Sequence, residues 1–278
     1  MSTARLVLVG TPIGNAGDLS PRAAKALATA DVVACEDTRH TRKLLAVAGL
    51  EVRHLVALHQ HNEASVGAAL VERMLRESLT IALVTDAGMP AVSDPGERVV
   101  RAAIEAGVKV EAVPGPTAAA TALALSGLPA TRWCFEGFLP RKGRERTERL
   151  AALAAEARTT VLYEAPHRIR ATLGDLKAAC GGTRRVALAR EMTKLFEEVW
   201  RGTLEEAVEH SAEVEPRGEY TLVLEGAPAA APASDADVDA AVARFLAEGM
   251  SRKDAAAAAA AELGVPRRAA YDAANRRR

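Results

Sequence analysis

The chain has 278 residues, 49% of them hydrophobic, with 36 Lys and Arg against 36 Asp and Glu. That neutral balance excludes a global basic field for nucleic acid, so any such contact must come from local patches. Cys35, Cys134 and Cys180 form no C-x-x-C pair, which speaks against a zinc knuckle or a disulfide framework.

No run of about 18 apolar residues offers a membrane span, and no charged leader opens onto an apolar run. A cytoplasmic protein with no membrane partner is expected. The apolar, β-branched Arg5–Val9 reads as a buried strand running into the loop "GTPIGN", residues 10–15. Ser20 as N-cap and Pro21 at the first helical position open a helix that ends near Ala30. Val32–Cys35 is a second strand, ending at "EDTR", residues 36–39. Helical periodicity over 63–76, a strand over 81–85, a helix over 97–106 and a strand over 108–113 follow. This βαβ rhythm predicts a mostly parallel sheet with helices on both faces. Ligands of such sheets bind at the carboxyl ends of the strands, where four loops (10–15, 36–39, 85–96 and 114–119) should share one edge.

A helix is predicted over 117–126 and a strand over Trp133–Phe138, followed by the basic stretch 141–149 opening a helix to about residue 157. Strands over 160–163, 185–189, 198–202 and Tyr220–Leu224, with helices over 168–179 and 204–210, make a second α/β unit. The Pro/Ala segment 226–235 has no apolar periodicity and reads as a linker. In the tail, Ser251 with Asp254 marks a helix start, Gly264 a stop and Pro266 a restart. Two short helices across a glycine turn are similar to a helix-turn-helix, and equally to a packing hairpin. The expected boundaries are 1–116, 117–226, 227–235 and 236–278.

A phosphate loop needs successive inward backbone N–H groups, usually followed by Lys and Ser or Thr. "PGPTAA", residues 114–119, contains two prolines with no N–H to give. "GTPIGN" has one proline and no lysine, and "DAGMP", residues 86–90, sets the Asp86 carboxylate beside its loop. The fingerprint G-x-G-x-x-G is absent. ATP and NAD therefore fit poorly. A flat base and a ribose without phosphate fit better, and S-adenosylmethionine adds a sulfonium cation suited to carbonyls and a carboxylate. Taken singly, each loop is as readily a tight turn.

The motifs "LVGTPIGN" (8–15), "DLSPRA" (18–23), "CEDTR" (35–39), "TDAGMPAVSDPG" (85–96), "VPGPTAA" (113–119), "YEAPHR" (163–168), Arg190-Glu191 with Thr193, and "GEYTLVLEG" (218–226) carry a resemblance. Together, in order over residues 5–226, the chain resembles the tetrapyrrole-methylase superfamily. More narrowly it resembles the branch that methylates a cytidine ribose 2′-oxygen in 16S rRNA. The resemblance implies two α/β domains with S-adenosylmethionine in the cleft between them, plus a small C-terminal helical module. It places Pro12, Gly88, Met89, Val92, Gly115, Thr117, Ala118, Tyr163 and Thr221 on the cofactor, with Asp86 beside them. It implies the small ribosomal subunit as partner, a decoding-centre cytidine as target and, from the superfamily, a homodimer. A bulky residue at Gly115 is expected to block the cofactor while leaving the fold intact.

Methylating a ribose hydroxyl is an in-line displacement in which a positioned base contributes about 10²–10⁴-fold. Glu36, Asp37, Glu164, Glu191, Lys43 and Lys194 are the available bases, and no metal-ligand cluster is read. Like-charge repulsion within Glu36-Asp37 could raise one pKa; alternatively, Asp37 caps a helix and pairs with Arg39 or Arg42. His167 could titrate usefully or be structural. RNA phosphates would meet Arg39, Arg42, Arg168 and the 141–149 stretch, with Arg141, Lys142 and Arg144 foremost. Either basic run also reads as a solvated helix face. Two other functions stay open. A methylase of a tetrapyrrole or another small molecule would need an apolar trough, and a non-catalytic RNA-binding assembly factor would need a blocked cofactor pocket.

Overall fold

The computed structural model describes residues 4–52, 54–228 and 233–276. In chain order the first half contains β1 (Arg5–Val9), α1 (Pro21–Thr29), β2 (Val32–Cys35), α2 (Thr38–Val47) and β3 (Leu55–Ala57). It continues with α3 (Glu63–Glu77), β4 (Thr80–Val84), α4 (Glu97–Glu105) and β5 (Lys109–Val113). The strands form one parallel sheet in the order β3-β2-β4-β1-β5. Alternation along each strand sends side chains to both faces. Leu6, Ala34, Ile81 and Leu83 pack under α3 and α4, whereas Val7, Val9, Val33 and Val84 pack under α1 and α2. A sheet covered on both sides needs such continuously apolar strands. Ser20 caps α1 by accepting from the Ala23 N–H at 3.1 Å, with Pro21 at the first position. The edge strand β3 was not anticipated, because three half-exposed residues carry no periodic signal.

The second half contains α5 (Ala118–Ser126), β6 (Trp133–Phe138), α6 (Arg144–Ala155), β7 (Thr159–Glu164) and α7 (Ile169–Cys180). Then come β8 (Arg185–Arg190), β9 (Glu198–Thr203), α8 (Leu204–Glu213) and β10 (Tyr220–Leu224). Its sheet order is β6-β7-β10-β8-β9, and only β6–β7 is parallel. Helices α6, α7 and α8 cover the face carrying Leu162, Leu188 and Leu222. Helix α5 covers the other face, where Val161, Ala187, Ala189 and Val223 leave room for Ala119 and Ala122 to approach. Ile13, from the loop after β1, is buried in that same cluster. The two sheets belong to one compact unit ending at Ala227.

The unit beginning at Pro228 consists of α9 (Asp235–Ala247), α10 (Arg252–Leu263) and α11 (Arg267–Arg276), one helix more than the two read in the tail. Ser234 and Asp237 form a reciprocal capping box. Ser251 accepts from the Asp254 N–H at 3.2 Å, and Gly264 ends α10 at φ +64°. Alanines 256, 259, 260, 270 and 273 pack the three helices together around Val238 and Val242. Most of the expected linker lies outside the described residues.

Candidate functional site

At the carboxyl edge of the first sheet the loops are stitched by their own backbone. The Gly10 N–H donates to Val113 O at 3.0 Å, and Thr11 and Gly88 exchange N–H···O bonds of 2.9 and 3.1 Å. The Thr11 hydroxyl also donates toward Thr85 O and Gly88 O. These amides are therefore engaged internally, and the intervening prolines have none. No nest is left to cradle a phosphate. Gly10 and Gly115 touch backbone to backbone: a Cβ on Gly115 would lie 2.8 Å from Gly10, and one on Gly10 would lie 2.6 Å from Gly115. Gly14 presses likewise against Met192–Lys194 of the second half, where a Cβ would come within 2.5 Å of the Lys194 side chain.

Between the two sheets lies a cleft with about 940 Å³ of open space, partly continuous with solvent. Gly88, Met89, Val92, Thr117, Ala118, Tyr163 and Thr221 line it together, as the resemblance implied. The ring of Tyr163 is held edge-on by Phe135 and Phe138, at 4.9 and 5.6 Å between centroids. Pro12 and Asp86 instead line an adjoining groove with His40, Lys43 and Lys194. Gly115 lines neither space. It sits behind the cleft against Gly10, so the expectation that a bulky residue there would spare the fold is corrected.

The carboxylates sort by partner. Asp37 caps α2, accepting from the Arg39 N–H at 2.7 Å and from its guanidinium at 3.2 and 2.8 Å. These bonds hold it far below the usual carboxylate range, which removes it as a base. Glu191, at φ +50°, accepts from Lys194 at 2.8 Å and from the Glu219 N–H at 3.1 Å. The lysine bond lowers its pKa, so it too is corrected to a structural tie. Burial works against the charge on Lys194, but its bonds to Glu191 and Glu219 prevail and raise its pKa, so it stays charged. Lys43 stands in the adjoining groove and not in the cleft. Glu36 is pushed up, first by burial and then by Asp86, with Asp37 a minor contributor. The expected repulsion within the Glu36-Asp37 pair is thus a small part of the effect.

Asp94 was missed. It lines the cleft and also a neighbouring groove with Glu36 and Arg98. Burial, then Glu36 and Asp86, push it up to about 7. In the sequence it looks like a turn residue, an aspartate before Pro95-Gly96. The structural flag is backbone strain on either side of Val92, with Ala91 at φ +66° and Ser93 at φ +69°.

Among the basic residues, Arg168 is corrected most plainly. Its guanidinium turns inward to Glu164 at 3.2 Å and to Leu139 O at 2.7 Å, so it is not offered to RNA. Arg146 is buried too, bonded to Asp175, Thr172 and Pro140 O. Arg149 pairs with Glu136. Arg42, Arg141, Lys142 and Arg144 are exposed, Arg144 in an i,i+4 pair with Glu148, and exposed Arg39 is held by Asp37. Among the described residues no group of three or more His, Cys, Asp or Glu is disposed to hold a metal, and no helix is long and apolar enough to cross a membrane.

A parallel sheet facing a mixed sheet across a cleft without phosphate donors is the arrangement of the tetrapyrrole methylases. Residues 5–208 match the family Tetrapyrrole (Corrin/Porphyrin) Methylases, and residues 232–278 match the RsmI C-terminal HTH domain. A protein of Mycobacterium bovis named ribosomal RNA small subunit methyltransferase I is 48% identical, covering 98% of this chain and 95% of that protein. One of the same name from Synechocystis is 44% identical over 96% of this chain and 95% of its own. Uroporphyrin-III C-methyltransferase from Thermus thermophilus, solved with S-adenyl homocysteine, shares the fold at TM-score 0.57 and 23% identity, covering 80% of this chain and 97% of that one. The chain belongs to the tetrapyrrole methylase family and, within it, to the ribosomal RNA small subunit methyltransferase I group.

Proposed function

We propose that this chain methylates the ribose 2′-oxygen of a decoding-centre cytidine in 16S rRNA, using S-adenosylmethionine, in the cytoplasm and as a homodimer. The observation that carries the reading is the cleft whose loop amides are already engaged, beside carboxylates that have no Lys or Arg in ion-pair distance among the described residues. Such a site disfavours phosphates and suits an adenosyl group bearing positive charge. Gly88, Met89, Val92, Thr117, Ala118, Tyr163 and Thr221 would hold that group, with Pro12 and Asp86 at its edge. When bound, S-adenosylmethionine supplies an electrophilic methyl group on sulfur. The open cleft favours turnover over a purely binding role.

Incubation with methyl-labelled S-adenosylmethionine and small ribosomal subunits or naked rRNA tests this. Label should appear in 2′-O-methylcytidine after digestion to nucleosides. Label on a porphyrin instead, or tight RNA binding without transfer, would overturn the reading.

The exposed Arg141, Lys142 and Arg144 serve as phosphate contacts. Replacing all three with alanine should weaken RNA binding and flatten the plot of log affinity against log salt by about 2–3. The melting temperature should hardly move, since surface substitutions usually stay within about 0.5 kcal/mol. An unchanged salt slope would place the RNA elsewhere.

A further inference from the structure

Glu164, Asp94 and Glu219 are the carboxylates that line the cleft. Glu164 is 2% exposed and fully engaged, accepting from the Thr172 hydroxyl at 2.6 Å, the Ala165 N–H at 2.9 Å and Arg168. Glu219 is paired with Lys194 at 2.9 Å. Asp94 alone of the three has no ion pair among the described residues, and it stands where the cleft opens into the groove of Glu36, Gln60 and Arg98. A methyl donor seated in the cleft and a nucleoside entering by that groove would meet at Asp94.

From this geometry we infer that Asp94 is the general base that takes the proton from the ribose 2′-hydroxyl. The inference rests on the methyltransferase reading above. The hydroxyl proton passes to an Asp94 carboxylate oxygen as the ribose oxygen bonds to the methyl carbon. The carbon–sulfur bond breaks with its electron pair remaining on sulfur, so a cation and a carboxylate become a neutral thioether and a carboxylic acid.

The groups facing Asp94 come from several elements. Glu36 follows β2, Asp86 follows β4, Glu219 precedes β10, and Tyr163 lies on β7. Glu63, Glu97 and Arg98 border the groove side, where Glu63 is occupied by the Gly96 and Arg98 N–H groups. His59 faces Glu36. The negative groups favour a proton on Asp94, and burial does so more strongly, so the group titrates near neutrality. A base poised there matches the operating pH of the reaction.

Full-length wild type, Asp94→Asn and Asp94→Glu are compared on small subunits with labelled S-adenosylmethionine. Wild-type kcat/KM should climb with pH through about 7 and then level off. Asp94→Asn should lose about 100-fold or more in kcat and lose that pH limb, while cofactor affinity by calorimetry stays within about twofold. Asp94→Glu should recover part of kcat.

A readout independent of activity follows from the same titration. The unfolded chain releases this proton near pH 3.9, whereas the folded protein keeps it to about 7. The folded state therefore holds the extra proton between those values, and wild-type stability falls as pH rises across them. The Asn variant lacks that fall, so its melting temperature relative to wild type should rise from pH 4 to pH 8. An Asn variant with near-wild-type kcat and an intact pH limb overturns the base assignment while the methyltransferase reading stands. Loss of cofactor affinity along with kcat makes Asp94 a binding residue and also overturns it. No 2′-O-methylation by the wild type removes both.

Discussion

Replacing Gly115 with alanine is expected to destabilise the protein by about 3 kcal/mol and to abolish S-adenosylmethionine binding. The added Cβ would meet the Cα, C and O atoms of Gly10 at 2.8 Å, and backbone on both sides cannot swing away as a long side chain could. Relief requires parting β1 from β5 at their carboxyl ends, which drags Thr11 and so the bridge to Gly88 that shapes the cleft. Overpacking of this kind typically costs about 1–3 kcal/mol, and two immobile backbones put it at the upper end. At about 2–4 °C per kcal/mol, the melting temperature should fall by roughly 6–12 °C. Gly174→Ala is the matched control. Gly174 lies exposed in α7 with nothing within 4 Å of a new Cβ, so it should gain about 0.5–1 kcal/mol. Differential scanning calorimetry with and without cofactor checks both. A Gly115→Ala protein that melts and binds like wild type would show that the glycine contact is dispensable.

Arg168→Ala should be as severe, for an electrostatic reason. Glu164 is 2% exposed, and removing its cationic partner leaves a buried carboxylate with only the Thr172 hydroxyl and the Ala165 N–H. Breaking one side of a buried ion pair costs about 3–5 kcal/mol. Adding Glu164→Gln to Arg168→Ala should return part of that loss, because the uncompensated charge is gone; a double-mutant cycle in urea measures the coupling. Normal stability with weakened RNA binding would instead restore Arg168 to the RNA surface.

Arg168 also shows what could not be read from the chain. An arginine after "YEAPH" looks like any other loop cation, because local pattern reports period and capping but not where a long side chain ends. Arg146 is the same case: it stands in a run of exposed charges and yet points at Asp175. The elements themselves were legible wherever period and punctuation agreed. Arg5–Val9, Val32–Cys35, Trp133–Phe138 and Tyr220–Leu224 have the expected bounds, and Ser20-Pro21 opens α1. Strand direction in the second half was not legible, since β7, β8 and β10 are apolar on both faces whichever way they run. Most of the cleft lining followed from the family motifs. Asp94 did not, because its pKa comes from burial and from Glu36 and Asp86, far off in sequence.

Ile13 has a mechanical role that its place in a loop conceals. It leaves the first sheet and lodges, 7% exposed, among Ala119, Leu123 and Met192 of the second. The halves are doweled together by one aliphatic side chain beside the entrance. Prising them apart like jaws means drawing that dowel into water, at about 1.5–3 kcal/mol. Small molecules and nucleosides thus exchange past the rim of a fixed slot, and the slot keeps its width from one turnover to the next.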